Sequence, residues 1–201
     1  MPEAFSLHQR TVADRDLVDA DDELVALAQL NTHAFAELYR RYLDPVHQYC
    51  YRRLGTREAA EDATSQIFIQ ALAGLPKYVP NRGSFRSWLF TIAHNVVIDH
   101  YRKTRPDGWD IEAFEMVDRG PTPDELAITA ESTRSLNSAI AELPERQRQV
   151  VALRLAGLQS REIADVLGCN SRAVDVTQFR AVTRLRVLMT AATQAKQETD
   201  V

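Results

Sequence analysis

From Asp21 onward the apolar positions of this chain recur every three or four residues, the period of an amphipathic helix. Leu24, Leu27, Ala28 and Leu30 predict a short first helix. Phe35, Leu38, Tyr39, Tyr42 and Leu43 predict a second. Asp44-Pro45 should interrupt or kink it, because proline lacks a donor and crowds the preceding turn. Val46, Tyr49, Cys50 and Leu54 resume the stripe, and Gly55 supplies the stop. Thr56 suits the N-cap of a helix through Ala60, Ala63, Ile67, Phe68, Ala71 and Leu72, which Gly74 and Pro76 end. After the loop KYVPNRGS, with Ser84 as N-cap, come Phe85, Trp88, Leu89, Ile92 and Val96. They fall at i, i+3, i+4, i+7 and i+11, a buried helical stripe. No segment shows the alternation of a half-buried strand.

The pattern dissolves between Thr104 and about Thr133. TRPDGWDIEAFEMVDRGPTPDELA holds Pro106, Gly108, Gly120, Pro121 and Pro123 and reads as a linker. A loop of that length inside one compact domain would be unusual, so two domains are expected. Periodicity resumes near Ser135. Leu136, Ile140 and Leu143 share a face, Pro144 opens the next helix at its first position, and Val150, Val151, Leu153 and Leu155 continue to Gly157.

QSREIADVLGCNSRAVDVTQFRAVTRLR follows. Ser160 is expected to cap a short helix with Ile163, Ala164 and Leu167 facing inward. Gly168 makes a turn, and a second helix carries Val174, Ala181, Leu185 and Leu188 on one stripe. Short helix, glycine turn and longer basic helix form the helix-turn-helix layout, in which the second helix offers its N-terminal residues to the major groove. Arg172, Arg180, Arg184 and Arg186 gather on that helix after Asn170-Ser171, which favours DNA over an ordinary helical hairpin.

Charge at first argues against a nucleic-acid partner, since the formal net charge is −4. The acids are segregated, however. Asp14, Asp16, Asp19, Asp21, Asp22 and Glu23 crowd the N-terminal part. Asp107, Asp110, Glu112, Glu115, Asp118, Asp124, Glu125 and Glu131 crowd the linker. The remaining segments are net basic and are judged by their own surfaces. The helix from Phe85 is basic at both ends, with Arg82 and Arg86 before and Arg102, Lys103 and Arg105 after. Aromatic residues beside cations, with Asn95 among them, suit a strand whose bases have left the stack. A core helix with solvated ends fits the same residues, and on this segment alone both readings stay open.

Cys50 and Cys169 form no CxxC pair, so both are expected to be reduced thiols. His8, His33, His47, His94 and His100 offer no HExxH spacing, and phosphate-loop and nucleophile signatures are missing. No enzyme activity, cofactor or metal is expected. The N-terminus lacks an apolar h-region, and no run has the length needed to cross a bilayer, so a cytoplasmic chain without a membrane segment is expected.

These motifs resemble the extracytoplasmic-function (ECF) group of bacterial sigma factors over roughly residues 21 to 190. FAELYRRYLDPVHQYCYRRLG resembles region 2.1 and AAEDATSQIFIQAL resembles region 2.2. FRSWLFTIAHNVVIDHYRK is similar to regions 2.3 and 2.4. LNSAIAELPERQRQVVALRLAGLQSREIADVLGCNSRAV is similar to region 4. The resemblance implies an all-α fold: a sigma-2 helical bundle (21–105) and a sigma-4 helix-turn-helix domain (134–190). A flexible acidic linker (106–133) joins them, with loose tails at 1–20 and 191–201. It implies a factor that binds core RNA polymerase through the beta and beta-prime subunits, directs it to promoter DNA and assists opening, under control of an anti-sigma factor.

By the same resemblance, Asp62, Ser65, Gln66 and Phe68 contact the polymerase. Asn81, Arg82, Ser84, Phe85, Trp88, Asn95, Arg102 and Lys103 hold the −10 element. Ser160, Arg161, Asn170, Ser171, Arg172, Asp175 and Arg180 meet the −35 element. The chain departs from the family pattern at Ser65 and Gln66, where region 2.2 usually reads D-x-x-Q-E-x-F and here loses a carboxylate, and at Asp175 and Thr177, where Lys and Arg are usual. Gln178 also departs, standing in the buried phase where Leu is usual. The Asp175 and Thr177 departures imply an unusual or weaker −35 preference. A competing assignment, a regulator with a LuxR-type DNA-binding domain, accounts for residues 160–189 but leaves the first domain without a task.

Overall fold

Helix α1 (21–30) turns Val25 and Ala28 into the core and leaves Leu27 and Leu30 in solvent, Leu30 being 89% exposed. Of the expected stripe of Leu24, Leu27, Ala28 and Leu30, Ala28 is buried and Leu24 packs partly buried against the core, whereas the face is rotated away from Leu27 and Leu30 toward Val25. Polar anchors set that rotation. The buried Asp21 carboxylate accepts from Arg41 Nη1 at 2.5 Å and from the Tyr42 hydroxyl. Gln29 Nε2 donates to the carbonyls of Leu75 (3.0 Å) and Tyr78 (2.8 Å). The computed structural model describes residues 21–80, 83–104 and 136–199, so the expected tail 1–20 and linker 106–133 lie outside the described residues.

After a 3-10 turn at Thr32–Ala34, α2 (Phe35–Leu54) runs unbroken through Pro45. A proline inside a helix costs about 3 kcal/mol. Burial of Leu38, Tyr42, Val46, Tyr49 and Cys50 on either side, at roughly 1.5–3 kcal/mol per large apolar side chain, outweighs that cost. Gly55 ends the helix with φ 78, a left-handed conformation that favours glycine. Thr56 caps α3 (Arg57–Gly74) through Ala59 N, and Ser84 caps α4 (Phe85–Thr104) through Ser87 N. Small residues Ala60, Ala63 and Ala71 let α3 lie close to its neighbours. No strand occurs among the described residues.

The second half holds α5 (136–141), α6 (Glu145–Leu155), α7 (Ser160–Leu167) and α8 (Ser171–Thr199). Helix α8 continues through most of the segment expected to be a C-terminal tail, as far as Thr199. The halves do not stand apart. Helix α4 packs on α7, and α2 packs on α6. Val150, Leu153, Leu158, Ile163, Val166 and Val174 extend the buried cluster built by Leu38, Tyr49, Ile67, Phe85, Leu89 and Phe90. A smaller cluster of Ile140, Leu143, Val151 and Ala181 closes the far side of the second half. Cys50 is buried, and that burial pushes its thiol up to about 12, while Cys169 at the helix-turn-helix corner is half-buried.

Candidate nucleic-acid and polymerase interfaces

On α3 the exposed side chains of Asp62, Ser65 and Gln66 share one face. Phe68 does not join them, a correction to the expected polymerase contacts. It is 5% exposed and meets Tyr39 and Phe35 edge-on, with centroids 4.6 and 6.5 Å apart. Helical geometry explains this, because position 68 is about 120° around the axis from 62. Ile69, seven residues after Asp62, comes back to the exposed face and is 69% exposed. The i, i+4, i+7 spacing of Asp62, Gln66 and Ile69 was the signal for it.

At the start of α4, Asn81 and Arg82 lie outside the described residues. Phe85 is corrected from a strand contact to a core residue. It is 1% exposed, ringed by Tyr42, Tyr78 and Trp88 at 5.5, 5.9 and 5.5 Å. Trp88 is half-buried against Tyr78 and against Gly74, where a Cβ would meet Trp88 Cζ2 at 3.1 Å. Asn95 is exposed, and so are Arg102 and Lys103. Trp88, Asn95 and Arg102 follow one another every seven residues, so a ring, an amide and a cation line one edge of α4 over about 21 Å. Arg102 Nη1 stands 3.6 Å from Asp99 Oδ1. His94, one residue off this edge, is half-buried with Nδ1 3.4 Å from the Tyr49 hydroxyl. Burial, and then the Arg53 charge, push its imidazole down to about 4.

In the helix-turn-helix, Gln159 rather than Ser160 is the N-cap of α7, and Glu162 Oε2 accepts from Gln159 N at 2.9 Å. The Ser160 hydroxyl is used elsewhere. It donates to Asp175 Oδ1 at 2.6 Å and accepts from Arg154 Nη2 at 2.6 Å. Arg154 also donates to Gln178 Oε1 from Nε (3.0 Å) and Nη2 (2.7 Å), and to Leu158 O from Nη1 (2.9 Å). Gln178 in the buried phase thus has a physical reason: it is an acceptor for a half-buried guanidinium. Thr177 Oγ1 donates to Ala173 O at 2.7 Å.

Gly168 turns the chain with φ 61, and Asn170 caps α8 through Ala173 N at 2.8 Å. Arg161, Asn170, Ser171, Arg172, Asp175 and Arg180 are all exposed. Val176 and Phe179, which the sequence reading passed over, are exposed on the same helix, Phe179 to 74%.

Two carboxylates join the halves. Glu145 of α6 accepts from Arg53 Nη2 of α2 at 2.5 Å, with both side chains buried. Burial pushes the Glu145 carboxyl up, but Arg53 and Arg148 outweigh it and hold it below the usual carboxylate range. Glu162 of α7 accepts from Ser84 Oγ at 2.6 Å and from Arg86 through Nε (3.0 Å) and Nη2 (2.9 Å).

Two family models cover the two halves in this order: Sigma-70 region 2 matches residues 38–106, and Sigma-70 region 4 matches residues 133–185. The chain is 36% identical to the ECF RNA polymerase sigma factor BldN of Streptomyces coelicolor over 187 residues, 90% of this chain and 70% of BldN. It belongs to the ECF RNA polymerase sigma factors. The ECF sigma factor SigW of Bacillus subtilis is 32% identical over 145 residues, 67% of this chain and 77% of SigW. Among solved structures, CnrH in complex with the cytosolic domain of CnrY superposes with a TM-score of 0.67 at 27% identity, covering 86% of this chain and 99% of that one. The sigma factor RpoE from Bartonella quintana, solved with the anti-sigma factor NepR, shares the fold with a TM-score of 0.60 at 20% identity, over 78% of this chain and 96% of that one. This ECF sigma factor directs RNA polymerase to promoters, and its two helical domains are those of sigma regions 2 and 4.

Proposed function

We propose that α4 of this sigma factor holds one opened promoter strand along the edge formed by Trp88, Asn95 and Arg102. The observation that carries this reading is that edge of aromatic, amide and cation spaced seven residues apart. Each type matches one part of a nucleotide: base face, base edge and phosphate. Ser84 and Lys103 extend the edge at its two ends. The exposed face of α3, with Asp62, Ser65, Gln66 and Ile69, is the docking face for the polymerase core. In the second domain, Arg172 at the start of α8 reads the −35 duplex. Asn170, Ser171, Arg161 and Arg180 position it on the backbone.

Asp175 and Ser160 satisfy each other in the present conformation and hold the helix-turn-helix rather than reading bases. An anti-sigma partner is part of the same reading, supported by CnrH carrying the cytosolic domain of another protein. The work takes place in the cytoplasm. No helix among the described residues is long and apolar enough to cross a membrane.

Reconstituted transcription tests the reading. Core polymerase with this chain should initiate at discrete sites on a genomic template, and permanganate should detect opened thymines there. Failure to initiate at any discrete site would refute it.

A further inference from the structure

Helix α3 ends on a glycine that its own backbone does not require. Gly74 has φ −84 and ψ −20, a right-handed helical conformation open to any residue. Glycine is a poor helix former, so its presence there weakens α3. The neighbouring indole accounts for it. A Cβ at position 74 would stand 3.1 Å from Trp88 Cζ2, closer than the roughly 3.5–4.0 Å at which carbons pack. Gly74 is the bare spot on α3 against which the edge of the indole lies.

Tyr78 closes on the same indole from a second direction, with centroids 5.1 Å apart and planes at 55°. Phe85 closes from a third, at 5.5 Å and 43°. Tyr78 is itself held at three points. Gln29 Nε2 donates to its carbonyl at 2.8 Å, its hydroxyl donates to Gly83 O at 3.1 Å, and its ring meets Phe85 edge-on at 5.9 Å. Burial, and then the charges of Asp22 and Asp21, push that hydroxyl up to about 12, so it remains a donor at neutral pH. Trp88 is nevertheless only half-buried, which leaves part of the indole for another ring. An indole already fixed in one rotamer gives up little torsional freedom when a base stacks on it.

We propose that Gly74 and Tyr78 are positioning residues for promoter opening, holding the Trp88 indole in the orientation that stacks on an unpaired base. This rests on the strand-holding reading of Trp88 above and adds to it two residues that act through the indole. Gly74 supplies the space and Tyr78 the wall.

The test uses the full chain with core polymerase, on a template where the wild-type chain initiates at a discrete site. Gel shift reads promoter binding, and permanganate reads opened thymines. Gly74→Ala and Gly74→Val grow the side chain toward the indole. Opening should fall about three-fold and about ten-fold, the scale of a weakened and of a lost base stack, with gel-shift binding nearly unchanged. Tyr78→Leu should match Gly74→Val, whereas Tyr78→Phe keeps the ring and should retain opening within about two-fold. In a Trp109→Phe background Trp88 is the one tryptophan left. Its emission should shift to the red in Gly74→Val and Tyr78→Leu but not in Tyr78→Phe. The thermal midpoint of Gly74→Ala should not fall below that of wild type, because alanine suits a helix better than glycine.

Full opening or unshifted Trp88 emission in Gly74→Val overturns the proposal. So does a loss of opening in Gly74→Ala that comes with a lowered thermal midpoint. Trp88→Ala separates the two levels. If it loses opening while Gly74→Val does not, only the positioning role falls. If Trp88→Ala opens the template as wild type does, the strand-holding reading falls and takes the positioning role with it.

Discussion

Arg53 and Glu145 form an ion pair across the two domains although their side chains are only 1% and 7% exposed. Glu145 is well served, accepting also from Arg148 and from Gln149 Nε2 at 2.8 Å. Arg53 is not. Its Nε and Nη1 find no hydrogen-bond partner, although the Tyr101 ring faces the guanidinium at 5.7 Å. Burying such a pair returns little net stability, whereas removing one partner leaves an uncompensated charge. Glu145→Ala should therefore weaken the closed form by about 3–5 kcal/mol at most, less whatever Arg53 recovers by hydration when the domains part. Arg53→Met with Glu145→Leu should be close to neutral. Denaturant midpoints and amide exchange at the α2–α6 contact would check both. A double variant as weak as the single one would contradict this account.

Acid should loosen the same region. His94 is held neutral well below its ordinary value of 6.5, at about 4. Between those values the unfolded chain binds the proton and the folded one does not, so stability rises with pH. The contribution is fully present above about pH 6.5 and is lost as pH falls toward 4. Glu145 acts in the same direction, its depressed carboxyl adding loss below its ordinary 4.5. Denaturation midpoints taken from pH 7.5 to 4 should decline, and His94→Gln should flatten the upper part of that decline. A His94→Gln profile identical to wild type would count against the assignment.

Gln178 allows a test of opposite signs. If its position were simply apolar, Gln178→Leu would stabilise the second domain. Here Gln178 Oε1 accepts two donors of Arg154, so the substitution should destabilise by about 1 kcal/mol through the lost hydrogen bonds. Thermal unfolding decides between the two.

The two DNA-facing edges should fail differently. Arg172→Ala should cost ~1–3 kcal/mol of −35 discrimination if it makes a bidentate base contact. Asn95→Ala should leave closed-complex formation nearly intact and lower the fraction of opened templates. Promoter binding by gel shift with core polymerase, set beside permanganate reactivity, separates these effects. Equal losses of both in Asn95→Ala would remove the strand-holding role.

Features with local causes were legible in the chain. Gly55, Thr56, Ser84 and Gly168 each act within a turn of where they stand, and each occupies the cap or corner its chemistry favours. Errors arose where distant partners decide. The phase of α1 depends on Arg41 and Tyr42 holding Asp21, and the course of α2 through Pro45 depends on burial against other helices. Ser160 looked like a cap because its bonds to Arg154 and Asp175 cannot be read from spacing. Arg53 and Glu145 are 92 residues apart, and nothing in either segment marks them as partners. Aromatic residues were the hardest to assign. Phe68 and Phe85 satisfied a motif but belong to the core, whereas Phe179 is 74% exposed.

The two cysteines also make the protein convenient to observe. With the Cys50 thiol buried and pushed up to about 12, it stays protonated and shielded at neutral pH, so maleimide chemistry should find it unreactive while the native fold lasts. Cys169 lies at the corner between α7 and α8 and is only half-buried. A dye placed there without any mutation would ride on the −35-reading domain and report its departure from the rest of the chain.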